Sequence, residues 1–118
     1  YETLMAAYHQ VDIALDPFPF SGCTSSCDAL WMGVPVITMV GDTLVSRQSG
    51  AILNQLGLDE LVTRSVRDYI ETAVSLAGDQ ARRDELRTGL RQRMQQAFDP
   101  DRFAASLYQA LQQAVNSA

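Results

Sequence analysis

The sequence predicts an α/β fold, on three observations. Residues 11–16, Val-Asp-Ile-Ala-Leu-Asp, alternate apolar and polar as a half-buried strand does. Residues 34–40, Val-Pro-Val-Ile-Thr-Met-Val, form a nearly continuous apolar run, the pattern of a parallel strand covered on both faces. Between them lie a proline- and glycine-bearing loop and a short helical pattern, and most of the chain after residue 65 has a helical period. Strand, loop, helix, strand is a βαβ unit, and such crossovers are right-handed.

Taken in order, Leu4, Met5 and Tyr8 sit at helical spacing, so residues 2–9 predict the end of an amphipathic helix. The strand at 11–16 places Val11, Ile13 and Leu15 on one side, and Pro17 and Pro19 stop it. Cys27, Leu30 and Trp31 resume a helical stripe for which Thr24 is the expected N-cap. Gly33 is the expected stop, because glycine adopts the left-handed conformation beyond a helix end at least cost. After the strand at 34–40, Thr43 caps a helix over about 44–55 that Gly57 closes. Ser65-Val66-Arg67-Asp68 has capping-box spacing with aspartate for the usual glutamate, and Val66, Tyr69, Ile70, Ala73, Val74 and Ala77 form a stripe behind it. Leu86, Leu90, Met94 and Phe98 line one face of a further helix. Asp99 and Pro100 then supply an N-cap and an N1 proline for a last helix, expected to be buried through Phe103, Leu107, Leu111 and Val115. Two or three strands make an incomplete sheet. Residues 1–118 therefore read as a single domain-sized piece, the last part of a doubly wound α/β domain, and a chain opening on Tyr1 reads as cut from a longer one.

Composition narrows the function. With 47% hydrophobic and 19% charged residues over 118 positions, the chain suits one globular core. No apolar run approaches the roughly 20 residues that span a bilayer, and no secretory leader opens the chain, so no membrane partner is expected. The net charge is −5 and there is no lysine; without a basic stripe, nucleic acid is not an expected partner. Cys23, Cys27 and the single His9 are too few for a structural metal site, and two cysteines do not make a disulfide framework. The reading is a reduced, cytoplasmic protein.

The stretch at 21–28, Ser-Gly-Cys-Thr-Ser-Ser-Cys-Asp, follows the predicted first strand, and ligands of open α/β sheets bind beyond the carboxyl ends of strands. First-turn amides lack intrahelical partners and suit a phosphate; Gly22 allows close backbone approach, and Thr24, Ser25 and Ser26 add hydroxyls. Plain capping by small residues accounts for the same pattern. Asp28 is favoured by the helix dipole wherever it lies near the N-terminus, and a ribose diol would also suit its carboxylate. Arg47 reads as a helix-surface or ion-pairing arginine, Trp31 and Met32 as core, His9 as remote from the ligand edge, and the Pro17–Phe20 loop as a candidate face for a sugar or base.

The ordered string from Val11 to Asp16, Pro17 to Gly22 and Thr24 to Val36, continued by Gly41-Asp42-Thr43-Leu44, Ser46-Arg47 and Leu56-Gly57-Leu58, resembles the C-terminal catalytic region of the O-linked N-acetylglucosamine transferase family, with its Spindly-type and tetratricopeptide-repeat-associated members. The resemblance implies the C-terminal part of a Rossmann-like lobe of a GT-B glycosyltransferase, one that uses a UDP-sugar donor. That donor would be UDP-N-acetylglucosamine, transferred with inversion and without a metal or other cofactor to serine or threonine of protein or peptide acceptors. It further implies an N-terminal lobe and tetratricopeptide repeats in the same full-length chain. By position, Gly22, Cys23, Thr24 and Ser25 would meet the diphosphate and Asp28 the ribose. Cys23 stands where animal members carry histidine, and another family histidine falls at Leu4. Those departures motivate one alternative, a non-catalytic module for protein–protein contact; a second, a transferase of another sugar, stays open because the sugar's own contacts fall mostly outside this segment. No general base is identifiable, so the 118 residues alone are expected to be inactive.

Overall fold

A computed structural model describes all residues, 1–118. The chain runs α1 (Glu2–Ala7), a 3-10 turn (Tyr8–Gln10), β1 (Ala14–Leu15), α2 (Thr24–Trp31), β2 (Val36–Met39), a 3-10 turn (Leu44–Ser46), α3 (Gln48–Gln55), a 3-10 turn (Asp59–Leu61), β3 (Val62–Thr63), α4 (Val66–Gly78), α5 (Gln80–Ala97) and α6 (Pro100–Asn116). The three strands form one parallel sheet in the order β1-β2-β3. Ala14 pairs with Val36 and Leu15 with Ile37, while Thr38 pairs with Val62 and Met39 with Thr63. The α/β expectation holds, and β3 is a strand too short for any alternation to announce it.

β2 is central and buried on both faces, as its apolar run requires, with α2, α3 and α4 packed against it. The core gathers around Leu30, Val34, Ile37, Leu53, Leu58 and the buried side of α5, Leu86 and Leu90. At the end of α2 the Gly33 amide donates to the Leu30 carbonyl at 3.1 Å and the Val34 amide to Ala29 at 2.9 Å, with Gly33 at φ +81°. This is the paired 5→2 and 6→1 termination that glycine permits. A Cβ on Gly33 would also lie 2.5 Å from the Arg87 carbonyl oxygen, so α5 can press against the turn only because no side chain is there.

Several expectations are corrected. The predicted strand over 11–16 shortens to two residues, and its sides are sorted as expected only at the start: Val11 and Ile13 pack against the core, but Leu15 is 57% exposed while Asp16 is 4% exposed. Alternation marks two faces, but the tertiary fold decides at each position which of them is covered. Thr24 is the first helical residue of α2, and Cys23 holds the N-cap position without a side-chain cap bond. The segment after Thr43 starts as a 3-10 turn in which the Ser46 hydroxyl accepts from the Thr43 amide at 3.1 Å, and α3 begins only at Gln48. Ser65 caps α4 through the Asp68 amide as expected, but Val66, Ile70 and Val74 of the stripe face outward, leaving Tyr69, Ala73 and Leu76 on the core. Asp99 and Pro100 start α6 as expected, yet no residue of α6 is buried, and Phe103, Leu107, Leu111 and Val115 are 47 to 74% exposed. An apolar stripe shows that a helix can be covered on one face; it does not supply the cover. No helix is long and apolar enough to cross a membrane.

Candidate functional site

The β1–β2 register builds the site. Continuing one residue beyond Leu15–Ile37, it sets Asp16 opposite Thr38, and the Asp16 amide donates to the Ile37 carbonyl at 2.9 Å. The Thr38 hydroxyl donates to Asp16 Oδ2 at 2.6 Å, and the Gly22 amide donates to Asp16 Oδ1 at 2.8 Å. A buried carboxylate is costly unless its oxygens accept hydrogen bonds, and here both do. Asp16 thereby closes the loop of residues 17–22 back onto the strand it left.

The far side of the loop is tied with equal economy. Ser21 donates to the Val45 carbonyl through its amide at 3.0 Å and its hydroxyl at 2.6 Å. The Ser49 hydroxyl donates to the Gly22 carbonyl at 2.7 Å and lies 2.8 Å from the Ser26 hydroxyl. A hydroxyl has one proton, so Ser26 is the donor in that pair and the relay runs Ser26 to Ser49 to Gly22. A Cβ on Gly22 would fall 2.5 Å from Ser25 Oγ and 2.7 Å from Ser26 Oγ, so a side chain there would displace both hydroxyls and disturb the Ser26–Ser49 bond. Tyr69, reaching over from α4, donates its hydroxyl to the Asp16 carbonyl at 2.9 Å and meets the Phe18 ring edge-on at 5.4 Å. Desolvation first, and then the charge of Asp16, raise the Tyr69 hydroxyl above its ordinary pKa, keeping it a donor.

Against this frame the start of α2 is open. The amides of Thr24, Ser25 and Ser26 donate to no protein acceptor, and the side chains of Cys23, Thr24 and Ser25 are exposed. Gly22, Cys23, Thr24 and Ser25 thus come together at the carboxyl edge of the sheet, with Asp28 one turn along α2 on the face of Thr24. Gly22 has no amide to offer, since Asp16 holds it. Asp28 accepts the Tyr1 hydroxyl at 2.9 Å, and that bond is the main reason the Tyr1 phenol is raised above its usual pKa. Cys23 and Cys27 are both free thiols, and Cys27 is pushed up chiefly by burial.

The remaining candidates are placed elsewhere. His9 lies in the turn before β1, away from this edge. Trp31 is exposed rather than core, since α2 buries Ser26, Ala29 and Leu30; its ring carries the Arg91 guanidinium 5.2 Å from the centroid. Arg47 neither pairs with an acid nor lies free on a helix: its Nε donates to the Gly41 carbonyl at 2.8 Å. Asp16, Thr38, Ser49 and Tyr69 escape a reading of the local sequence because each reaches the loop from a different element; only the strand pairing could have signalled Asp16 and Thr38.

A parallel sheet with a glycine loop and an open helix start at its carboxyl edge is the layout of a Rossmann-like lobe. The chain belongs to glycosyl transferase family 41, whose model matches residues 6–108. It is 41% identical over 90 residues to a tomato (Solanum lycopersicum) protein named "Probable UDP-N-acetylglucosamine--peptide N-acetylglucosaminyltransferase SPINDLY", which covers 76% of this chain and 10% of that one. A Caenorhabditis elegans UDP-N-acetylglucosamine--peptide N-acetylglucosaminyltransferase is 38% identical over 68 residues, or 58% of this chain and 6% of its own. Among solved structures, a mutant O-GlcNAc transferase of Thermobaculum terrenum superposes with a TM-score of 0.85 at 39% identity, over 96% of this chain and 22% of that chain. The fold is accordingly that of part of a GT-B lobe, and the chain spans about a tenth of the length of the SPINDLY proteins it matches.

Proposed function

We propose that residues 1–118 form the C-terminal portion of the nucleotide-sugar-binding lobe of a glycosyltransferase that moves N-acetylglucosamine from its UDP donor to serine or threonine hydroxyls of protein acceptors. The observation that carries this reading is the open start of α2: three unpaired amides in a family 41 chain, set at the carboxyl edge of a parallel sheet. In this reading the amides of Thr24, Ser25 and Ser26, with the hydroxyls of Thr24 and Ser25, hold the diphosphate and stabilise the charge that grows on it as the sugar departs. That electrostatic role needs no metal. Gly22 contributes closeness of approach, Cys23 lines the same corner, and Asp28, which already accepts one hydroxyl, accepts those of the ribose. Transfer inverts the anomeric centre, and the general base comes from other parts of the full-length protein, which carries an N-terminal lobe and tetratricopeptide repeats. The two free cysteines fit a reducing, cytoplasmic setting.

Calorimetric titration of the full-length protein with UDP tests the reading. Binding that weakens at least tenfold in Asp28→Ala is the expected result, the loss of hydrogen bonds to a charged acceptor. Absence of binding at millimolar UDP would instead favour a lobe that keeps the fold for protein contact alone, the alternative motivated by Cys23 and Leu4 standing where family members carry histidine. Sugar transfer by the isolated 118 residues would overturn the division of labour proposed here.

A further inference from the structure

The chain's nine cationic side chains are all arginines. Seven are tied to carboxylates or to main-chain carbonyls, as Arg82 is to Glu60 and Glu85 and Arg87 to the carbonyls of Tyr8 and Val11. The other two are Arg64, which donates to nothing, and Arg47, which spends only its Nε and keeps both terminal amino groups. These two line one cavity of about 330 Å³, walled by Val40, Val62, Ala51 and Asn54, with no carboxylate in its lining.

The cavity's place gives it meaning. Val40 and Arg64 directly follow β2 and β3, so it opens at the same carboxyl edge as the Gly22 loop. Only α3 separates the two: Ser49 faces the loop, while Arg47, Gly50, Ala51 and Asn54, at i, i+3, i+4 and i+7, face the cavity. A helix is about 10 Å across, and extended polypeptide advances about 3.3 Å per residue, so about three residues of a bound peptide bridge the distance.

We propose that this cavity is an acidic subsite for the acceptor polypeptide, taking a glutamate or aspartate side chain about three residues from the hydroxyl that receives the sugar. Guanidinium groups pair with carboxylates through parallel hydrogen bonds, and the valine and alanine walls accept the methylene stem of glutamate. In a chain of net charge −5 an acidic peptide is otherwise repelled, so the two arginines set its register as well as its affinity. The inference rests on the transferase reading above for the identity of the peptide, but its test does not need turnover.

The test is fluorescence anisotropy on the full-length protein. The probes are labelled serine peptides of one neutral sequence, with a single glutamate walked from one to six residues on either side of the serine, each beside its glutamine control. The expected result is a preference for glutamate of about fivefold confined to positions near three, lost at 0.5 M salt and in Arg47→Glu/Arg64→Glu. It should survive in Arg67→Glu, a control on the exposed face of α4. Equal affinity for the glutamate and glutamine peptides, or a preference that survives in the double variant, would overturn the subsite. UDP titration of the same samples keeps the two readings apart. UDP binding without glutamate preference removes the subsite and leaves the transferase; glutamate preference without UDP binding does the reverse.

Discussion

At the carboxyl edge, residues 16–26 are rich in polar groups, and no buried side-chain nitrogen or oxygen in the structure lacks a partner. Along α6 the situation is inverted: Phe103, Leu107, Leu111 and Val115 form an apolar face that nothing covers. The first region is held by a few directional bonds from β2, α3 and α4, the second by its own helical bonds, its Asp99 cap and one bond from Arg102 to the Gln96 carbonyl of α5. The contrast separates two meanings of amphipathic pattern. In α5 the pattern coincides with burial, so Leu86 and Leu90 carry the fold; in α6 the same pattern carries almost none of it.

The sharpest way to break that contrast is a series of four substitutions, each measured by urea denaturation of the 118-residue chain. Leu90→Ala, at a fully buried position, should cost 2–5 kcal/mol, about what cavity-forming leucine deletions cost. Asp16→Ala should follow at about 3 kcal/mol, since it strips the acceptor from the part-buried Gly22 amide and leaves the buried Thr38 hydroxyl without one. Gly33→Ala should cost about 2 kcal/mol through its left-handed backbone alone, and more if the Arg87 carbonyl cannot withdraw. Leu107→Ala should lie within about 0.5 kcal/mol of the parent. A large loss there would mean that α6 packs on the core after all, and the contrast would collapse.

Much of the fold was legible because its signals are local. Gly33 and Gly57 end helices at positive φ, Asp99 and Pro100 begin one, and the run Val34–Val40 is the central strand. The misses are all tertiary. Asp16 looks like the polar side of a strand until the register sets it beside Thr38, and β3 is two residues long. Trp31 shares the stripe of Cys27 and Leu30, yet the neighbours that would bury it are absent from that flank. For the site, the loop–helix junction at Gly22 to Ser25 and Asp28 was readable from glycine, hydroxyls and position; its anchors were not, since Ser49 and Tyr69 stand 27 and 53 residues away from the groups they hold.

The one-way hydroxyl relay has a consequence for which ligands the edge can greet. Ser49 turns the Gly22 carbonyl inward, and the Cys23 carbonyl is taken by the Cys27 amide at 3.0 Å. With those oxygens withdrawn, the backbone from Gly22 to Ser26 shows outward only hydrogen, from Thr24, Ser25 and Ser26. The main chain of this rim is therefore one-signed: an oxyanion meets only donors there, whereas a polyol, whose hydroxyls must also give protons, has to turn to side chains, the Thr24 and Ser25 hydroxyls and the Asp28 carboxylate.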